Sequence, residues 1–237
     1  MNESSESFFP RVLSGSTLKL LAVIIMLIDH VAAFLYRYAG WLSTNVFTFH
    51  GKSFTAYKIM RYIGRSAFPL FCFLIVEGYL HTRSRLRYGI ALFVAALVAE
   101  YPFDIVHGAF PYAKQNVFFT LLFGYLGICC YERFRDRRLL LALSVIGLLV
   151  LSYFFKADYG LTGYCVILLF YLCRTDSLAV GLIGTIVLGV FSFPAYILMA
   201  MYNGERGFVK GPVLKYAFYA FYPVHLMILY GIQLLLK

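Results

Sequence analysis

An all-α bundle of about eight transmembrane helices is the fold class this sequence predicts, and three observations predict it. The 237 residues are 62% hydrophobic and only 14% charged, with a mean hydropathy of +0.78. Soluble chains are about half apolar and about a quarter charged, so the 24 Phe and 20 Tyr cannot be hidden in a water-soluble core of this size. The apolar residues also fall in runs near the length of about 20 residues that crosses a hydrocarbon core, separated by short polar joins. A soluble globule, a disordered chain and a disulfide-stapled fold are excluded together.

The elements follow in order. A polar, Ser-rich tail, residues 1–17, precedes the first run, Leu18 to Tyr38, which contains Asp29 and His30 and has no small-residue cleavage site. It reads as a retained span, not a signal peptide. The next runs are Ile63 to Leu80, Tyr88 to Val106, Val117 to Tyr131 and Leu139 to Phe155. Leu161 to Cys173 is short for a span, so seven crossings remain an alternative to eight; Leu178 to Met201 and Val213 to Leu236 complete the set. Residues 18–237 thus form one membrane domain, with any function inside the bundle.

Charge sets the expected orientation. The formal net charge is +10, yet its Lys and Arg cluster at helix ends, as orientation and anionic headgroups require, and nucleic acid is not an expected partner. Eight spans put both termini on one side with Arg83, Arg85 and Arg87 and with Arg133, Arg135, Arg137 and Arg138. The positive-inside bias then predicts cytosolic N and C termini for a multi-pass protein of the cell membrane, with the joins Trp41 to Tyr62 and Tyr202 to Pro212 on the opposite face. Cys72, Cys129, Cys130, Cys165 and Cys173 lie in or beside apolar runs without metal-ligand spacing, so they read as buried thiols and no metal is expected.

Ionisable residues inside apolar runs are costly and therefore informative, at about 2.5 to 3.5 kcal/mol for a carboxylate at the bilayer centre. Asp29, Glu77 and Glu100 are of this kind. Asp29 and His30 point about 100° apart on a helix, so each needs a partner from elsewhere, whether as a structural anchor or as a site. Arg65 lies at the outer end of the second run, where it either snorkels or serves a site. Pro69 falls early enough in that run to start it, and Glu77 and His81 stand four apart, a spacing that allows pairing. In the last run Pro223 frees a backbone carbonyl and His225 adds an ionisable ring, which predicts a kinked helix lining a cavity shared with His30.

Seven blocks in order resemble the TraX family of membrane proteins. They are LeuLysLeu at 18–20 with MetLeuIleAspHis at 26–30, GlyArgSerAlaPheProLeuPhe at 64–71, and ValGluGlyTyr at 76–79 with ThrArg at 82–83. GluTyrProPheAsp at 100–104, GlnAsnValPhePheThr at 115–120, TyrAsnGlyGluArgGly at 202–207 and LysTyrAlaPheTyrAlaPheTyrProValHis at 215–225 follow. Glu205 stands where the family pattern suggests a basic residue, which leaves Arg206 as the anion contact of that turn. The AlaPhePro segment is more distantly similar to the membrane enzymes that acetylate heparan glucosamine.

The resemblance implies an acetyl-CoA-dependent acyltransferase whose acceptor is a pilin-like amino terminus or an amino or hydroxyl group of a surface glycan. It implies His30 as general base or transient acetyl carrier, Asp29 or another acid as the holder of its tautomer, and Arg65 and His225 as stabilisers of charge at the thioester. Lys19, Arg83, Asn116 and Arg206 would then contact the donor. A proton-coupled transporter built on Asp29, Glu77, Glu100 and His30, and a non-catalytic assembly factor, are the competing readings.

Overall fold

The computed structural model describes residues 9–237, with the backbone alone at 177 and 178. The first eight residues of the expected cytosolic tail lie outside the described residues. Helix α1 (Gly15–Leu35) begins where Ser14 caps it, its hydroxyl accepting from the Thr17 N–H at 3.2 Å. The second apolar run is two helices, α2 (Ala56–Gly64) and α3 (Ala67–His81). Pro69 explains the break, because its ring displaces the carbonyl of Arg65 four residues earlier and supplies no N–H to it.

Helices α4 (Arg85–Val106), α5 (Val117–Phe134), α6 (Arg138–Phe154) and α7 (Gly160–Leu172) follow as an antiparallel series. Then come α8 (Ser177–Leu188), a 3-10 turn at Val190–Ser192, α9 (Phe193–Ala200) and α10 (Gly211–Leu235). Among the described residues five segments are long and apolar enough to cross a membrane: 15–35, 56–81, 85–106, 117–134 and 211–235. The result is a membrane helix bundle, with one addition to the all-α expectation: a two-stranded antiparallel ribbon, β1 (Asn45–Phe49) and β2 (Lys52–Thr55), between α1 and α2.

The seventh run departs from its expected course. Leu178 to Met201 is not one span but a hairpin, in which Gly181 and Gly184 of α8 pack against Tyr196 of α9. Its tip reaches the α2–α3 break, where Phe191 stacks on Tyr62 at 3.9 Å and its carbonyl accepts from the Ser66 hydroxyl at 3.3 Å. The chain then returns to the start of α1: the Leu13 N–H donates to Met201 O at 2.9 Å, Gly15 N–H to Glu205 O at 2.8 Å, and Ser16 N–H to Arg206 O at 2.9 Å. This stitching satisfies N–H groups around the beginning of α1. It needs glycine at 207, where φ is +79° and a Cβ would overlap the Ser14 side chain.

The turn-back reverses the last helix. α10 runs parallel to α1, with Gln233 Nε2 donating to Phe34 O at 2.9 Å and the Lys237 ammonium 6.0 Å from the Tyr38 ring centre. The two ends of the described chain therefore lie at opposite ends of the bundle, and the expectation of both termini on one face is corrected. The join Tyr202 to Pro212, expected on the far face, lies instead with the arginine-rich turns, and Lys215 in the first turns of α10 lies there too. Thirteen of the 21 Lys and Arg now gather at that end, leaving Arg37, Lys52, Lys58, Arg61, Arg65, Lys114, Lys156 and Lys237 at the other.

Candidate functional site

At the end away from the arginine-rich turns the bundle holds a cavity of about 1190 Å³. Its walls come from the second half of α1, from α2 and the start of α3, from the end of α4, from the α6–α7 turn and from α10. Asp29, His30, Arg61, Arg65, His107 and Asp158 face it. Of the residues named from the sequence, the fold brings Asp29, His30, Arg65 and His225 to this one region.

His30 lines the cavity, and His225, only 3% exposed, sits behind it. The rings are stacked, 11° from parallel, with His30 Nδ1 2.6 Å from His225 Nε2. The other nitrogen of His225, Nδ1, lies 2.8 Å from the backbone oxygen of Phe221. A carbonyl can only accept, so His225 Nδ1 carries the hydrogen and its Nε2 is the acceptor in the neutral pair. His30 Nδ1 must then donate, which leaves the lone pair of His30 on Nε2. The hydrogen-bond pattern thus assigns both tautomers. Edge contacts from Phe34 at 5.4 Å and Tyr222 at 5.9 Å hold the His30 ring.

Asp29 does not orient His30, and that assignment is corrected: its partner is Arg61, whose Nη1 donates to Asp29 Oδ2 at 2.5 Å. The pair is possible because α2 approaches α1 at Gly64, where a Cβ would overlap the Asp29 carboxylate. Arg65 lines the cavity and is exposed, and among the described residues its guanidinium makes no side-chain hydrogen bond, so it is open to an incoming anion.

The expected donor contacts scatter. Asn116 is fully buried and caps α5: Oδ1 accepts from Phe118 N–H at 3.0 Å, while Nδ2 donates to Ala96 O at 2.8 Å and to the Glu100 carboxylate. With both amide hydrogens engaged it has no donor left for a ligand, so its reading as a donor contact is corrected. Arg83 stands in the α3–α4 turn at the far end from the cavity. Lys19 and Arg206 are also at that end but together, with Lys215 within electrostatic reach and the Lys19 ammonium 5.4 Å from the Phe218 ring centre. Glu77 meets His81 as its spacing allowed, at 3.5 Å.

Sequence reasoning missed Arg61, His107 and Asp158. Arg61 lay just before the run assigned to the second span, although it precedes Arg65 by one helical turn, a signal that could have found it. His107 caps the end of α4, its Nδ1 donating to Phe103 O at 2.7 Å and its ring stacked 4.3 Å from Tyr112. Asp158, in the α6–α7 turn, lines the cavity and is ringed by protein. Burial raises its pKa above the ordinary value, against the pull of Lys114 and His107. Burial likewise lowers that of His107.

The model of the TraX protein family matches residues 14–233. A probable fimbrial assembly protein, FimC of serogroup H1, from Dichelobacter nodosus is 28% identical, over 94% of this chain and 97% of its own length. No solved structure matches.

Proposed function

The chain belongs to the TraX family, and from that premise we propose that it is a membrane-embedded acetyltransferase. It moves an acetyl group from acetyl-CoA to an amino or hydroxyl group of a membrane or surface acceptor, such as a pilin-like amino terminus or a glycan. The observation that carries the reading is the His30–His225 pair at the cavity wall, whose hydrogen bonds leave the lone pair of His30 on Nε2. Acyl transfer needs such a base, and one whose tautomer is held needs no reorganisation before it acts.

The acceptor enters the cavity with its nucleophile toward His30 Nε2. As the new N–C or O–C bond forms and the thioester C–S bond breaks, the proton of the nucleophile passes to Nε2 and then to the departing thiolate. The imidazolium is stabilised by its hydrogen bond to His225. Arg65 meets the oxyanion of the tetrahedral intermediate, while Arg61 is held by Asp29. Transient acetylation of the same Nε2 is the variant in which His30 carries the group between donor and acceptor.

The positive-inside bias supports placing the end with thirteen Lys and Arg in the cytosol. The cavity mouth then faces the far side of the membrane, where an assembling surface structure presents its acceptor. On the cytosolic end Lys19, Arg206 and Lys215 supply cations for the CoA phosphates. The name of the fimbrial relative supports a pilin-like acceptor. It also favours a second reading, a non-catalytic assembly factor of a pilus or conjugation system in which the polar residues only hold the bundle.

Incubating the detergent-purified protein with radiolabelled acetyl-CoA, alone and with candidate pilin peptides or glycans, separates the two. Label transferred in an acceptor-dependent manner, and lost in His30→Ala, supports the enzyme. Undiminished assembly in cells by a His30→Ala protein supports the scaffold.

A further inference from the structure

The ribbon between α1 and α2 has two unlike faces. Cross-strand partners share a face, and the pairs are Phe47 with Phe54, Thr48 with Ser53 and Phe49 with Lys52. One face therefore carries Phe47, Phe49 and Phe54 with Lys52 at its edge, and the other carries the hydroxyls of Thr48 and Ser53. Phe47 and Phe54 stack at 4.8 Å, 8° from parallel, yet Phe47 is 49% exposed and Phe49 61%. A two-stranded ribbon is only marginally stable in water, so this phenyl face requires a surface against it.

Its position says which surface. The ribbon follows the C-terminal end of α1 and leads directly into α2, level with Tyr36 and Tyr57, whose rings lie 4.4 Å apart. Trp41, the protein's one tryptophan, is 54% exposed beside it. Aromatic residues at the end of a span mark the headgroup level of a bilayer. The charge agrees: between Asp29 and Glu77 there is no acidic residue, whereas Arg37, Lys52, Lys58, Arg61 and Arg65 are all basic. Lys58 also ties helix to ribbon, its Nζ donating to Ser53 O at 2.9 Å.

We propose that the β1–β2 ribbon is a membrane-surface foot, which lays its phenylalanine face into the anionic phospholipid leaflet at the cavity mouth and turns its hydroxyl face to water. Apolar rings enter the boundary between headgroups and acyl chains, and Lys52 and Lys58 meet phosphate. The foot holds the mouth of the His30 cavity at the level of the leaflet surface. It stands independently of the acetyl-transfer reading.

The test uses the full chain in nanodiscs of phosphatidylglycerol with acyl chains brominated near the headgroup. Reporters are placed in a Trp41→Phe background as Phe49→Trp or Phe47→Trp on the buried face and Thr48→Trp on the watery one. Bromine should quench the tryptophan at 49 or 47 about twofold more than that at 48, and Lys52→Ser with Lys58→Ser should reduce the difference. Two phenyl-face positions guard against one variant failing to fold. Equal quenching at 48 and 49, or tryptophans at 47 and 49 that acrylamide reaches and bromine does not, overturns the proposal and points to a protein partner for this face.

Discussion

His30 Nδ1 lies 2.6 Å from His225 Nε2, and the Phe221 carbonyl on the far side of His225 dictates which ring donates. Two residues 195 apart in the chain form one unit, and the consequences can be separated by mutation.

If the unit is a base, His30→Ala lowers acetyl transfer by about two to four orders of magnitude while leaving insertion and melting nearly intact. His225→Ala leaves His30 free to take either tautomer and lowers transfer less. His225→Gln restores part of the rate, because its amide oxygen can accept from His30 Nδ1. Product formation and detergent melting curves are measured side by side, and a fully active His30→Ala protein removes the assignment.

The parallel course of α1 and α10 makes a topological prediction. On a Cys-free background, cysteines at positions 85, 136 and 206 should react with an impermeant maleimide from one side of the membrane, and cysteines at 50 and 237 from the other. Labelling of 206 together with 50 would restore the single-span course of residues 178–201.

Asn116→Ala should cost about 2 to 4 kcal/mol of stability, by losing the α5 cap and leaving Glu100 without its amide partner. The KM for acetyl-CoA should not move, since Asn116 has no free donor. A raised KM at unchanged melting temperature would return Asn116 to the donor site.

Gly64→Ala forces a methyl group against the Asp29 carboxylate and should destabilise the protein by about 1 to 3 kcal/mol. Loss of transfer beyond what the unfolded fraction explains would show that the Asp29–Arg61 pair also positions the cavity wall.

Asp158 gives a pH dependence of known sign. Its folded pKa is raised above 3.8, so its favourable contribution is fully present below that value and is lost as pH rises through the raised one. Asp158→Asn should therefore gain stability relative to the wild type as pH rises from about 4 to about 7. A difference that stays flat across that range would mean the carboxylate is fully solvated.

Composition and run length determined that this chain is a membrane helix bundle, because no soluble core can hide so many Phe, Tyr and Leu. They also located each apolar stretch, and the cost of a carboxylate or imidazole in lipid marked Asp29, His30 and His225 as residues that need partners. Which partners they found was a tertiary matter. Hydropathy measures how apolar Leu178 to Met201 is, not whether it turns back, and the turn depends on Gly184 admitting Tyr196 and on residues 201–209 stitching to the start of α1. That single reversal sets α10 parallel to α1, moves three cations to the arginine-rich end, and brings His225 level with His30. Adjacent on a helix, Asp29 and His30 face different neighbours, so only packing could give Asp29 to Arg61 and His30 to His225.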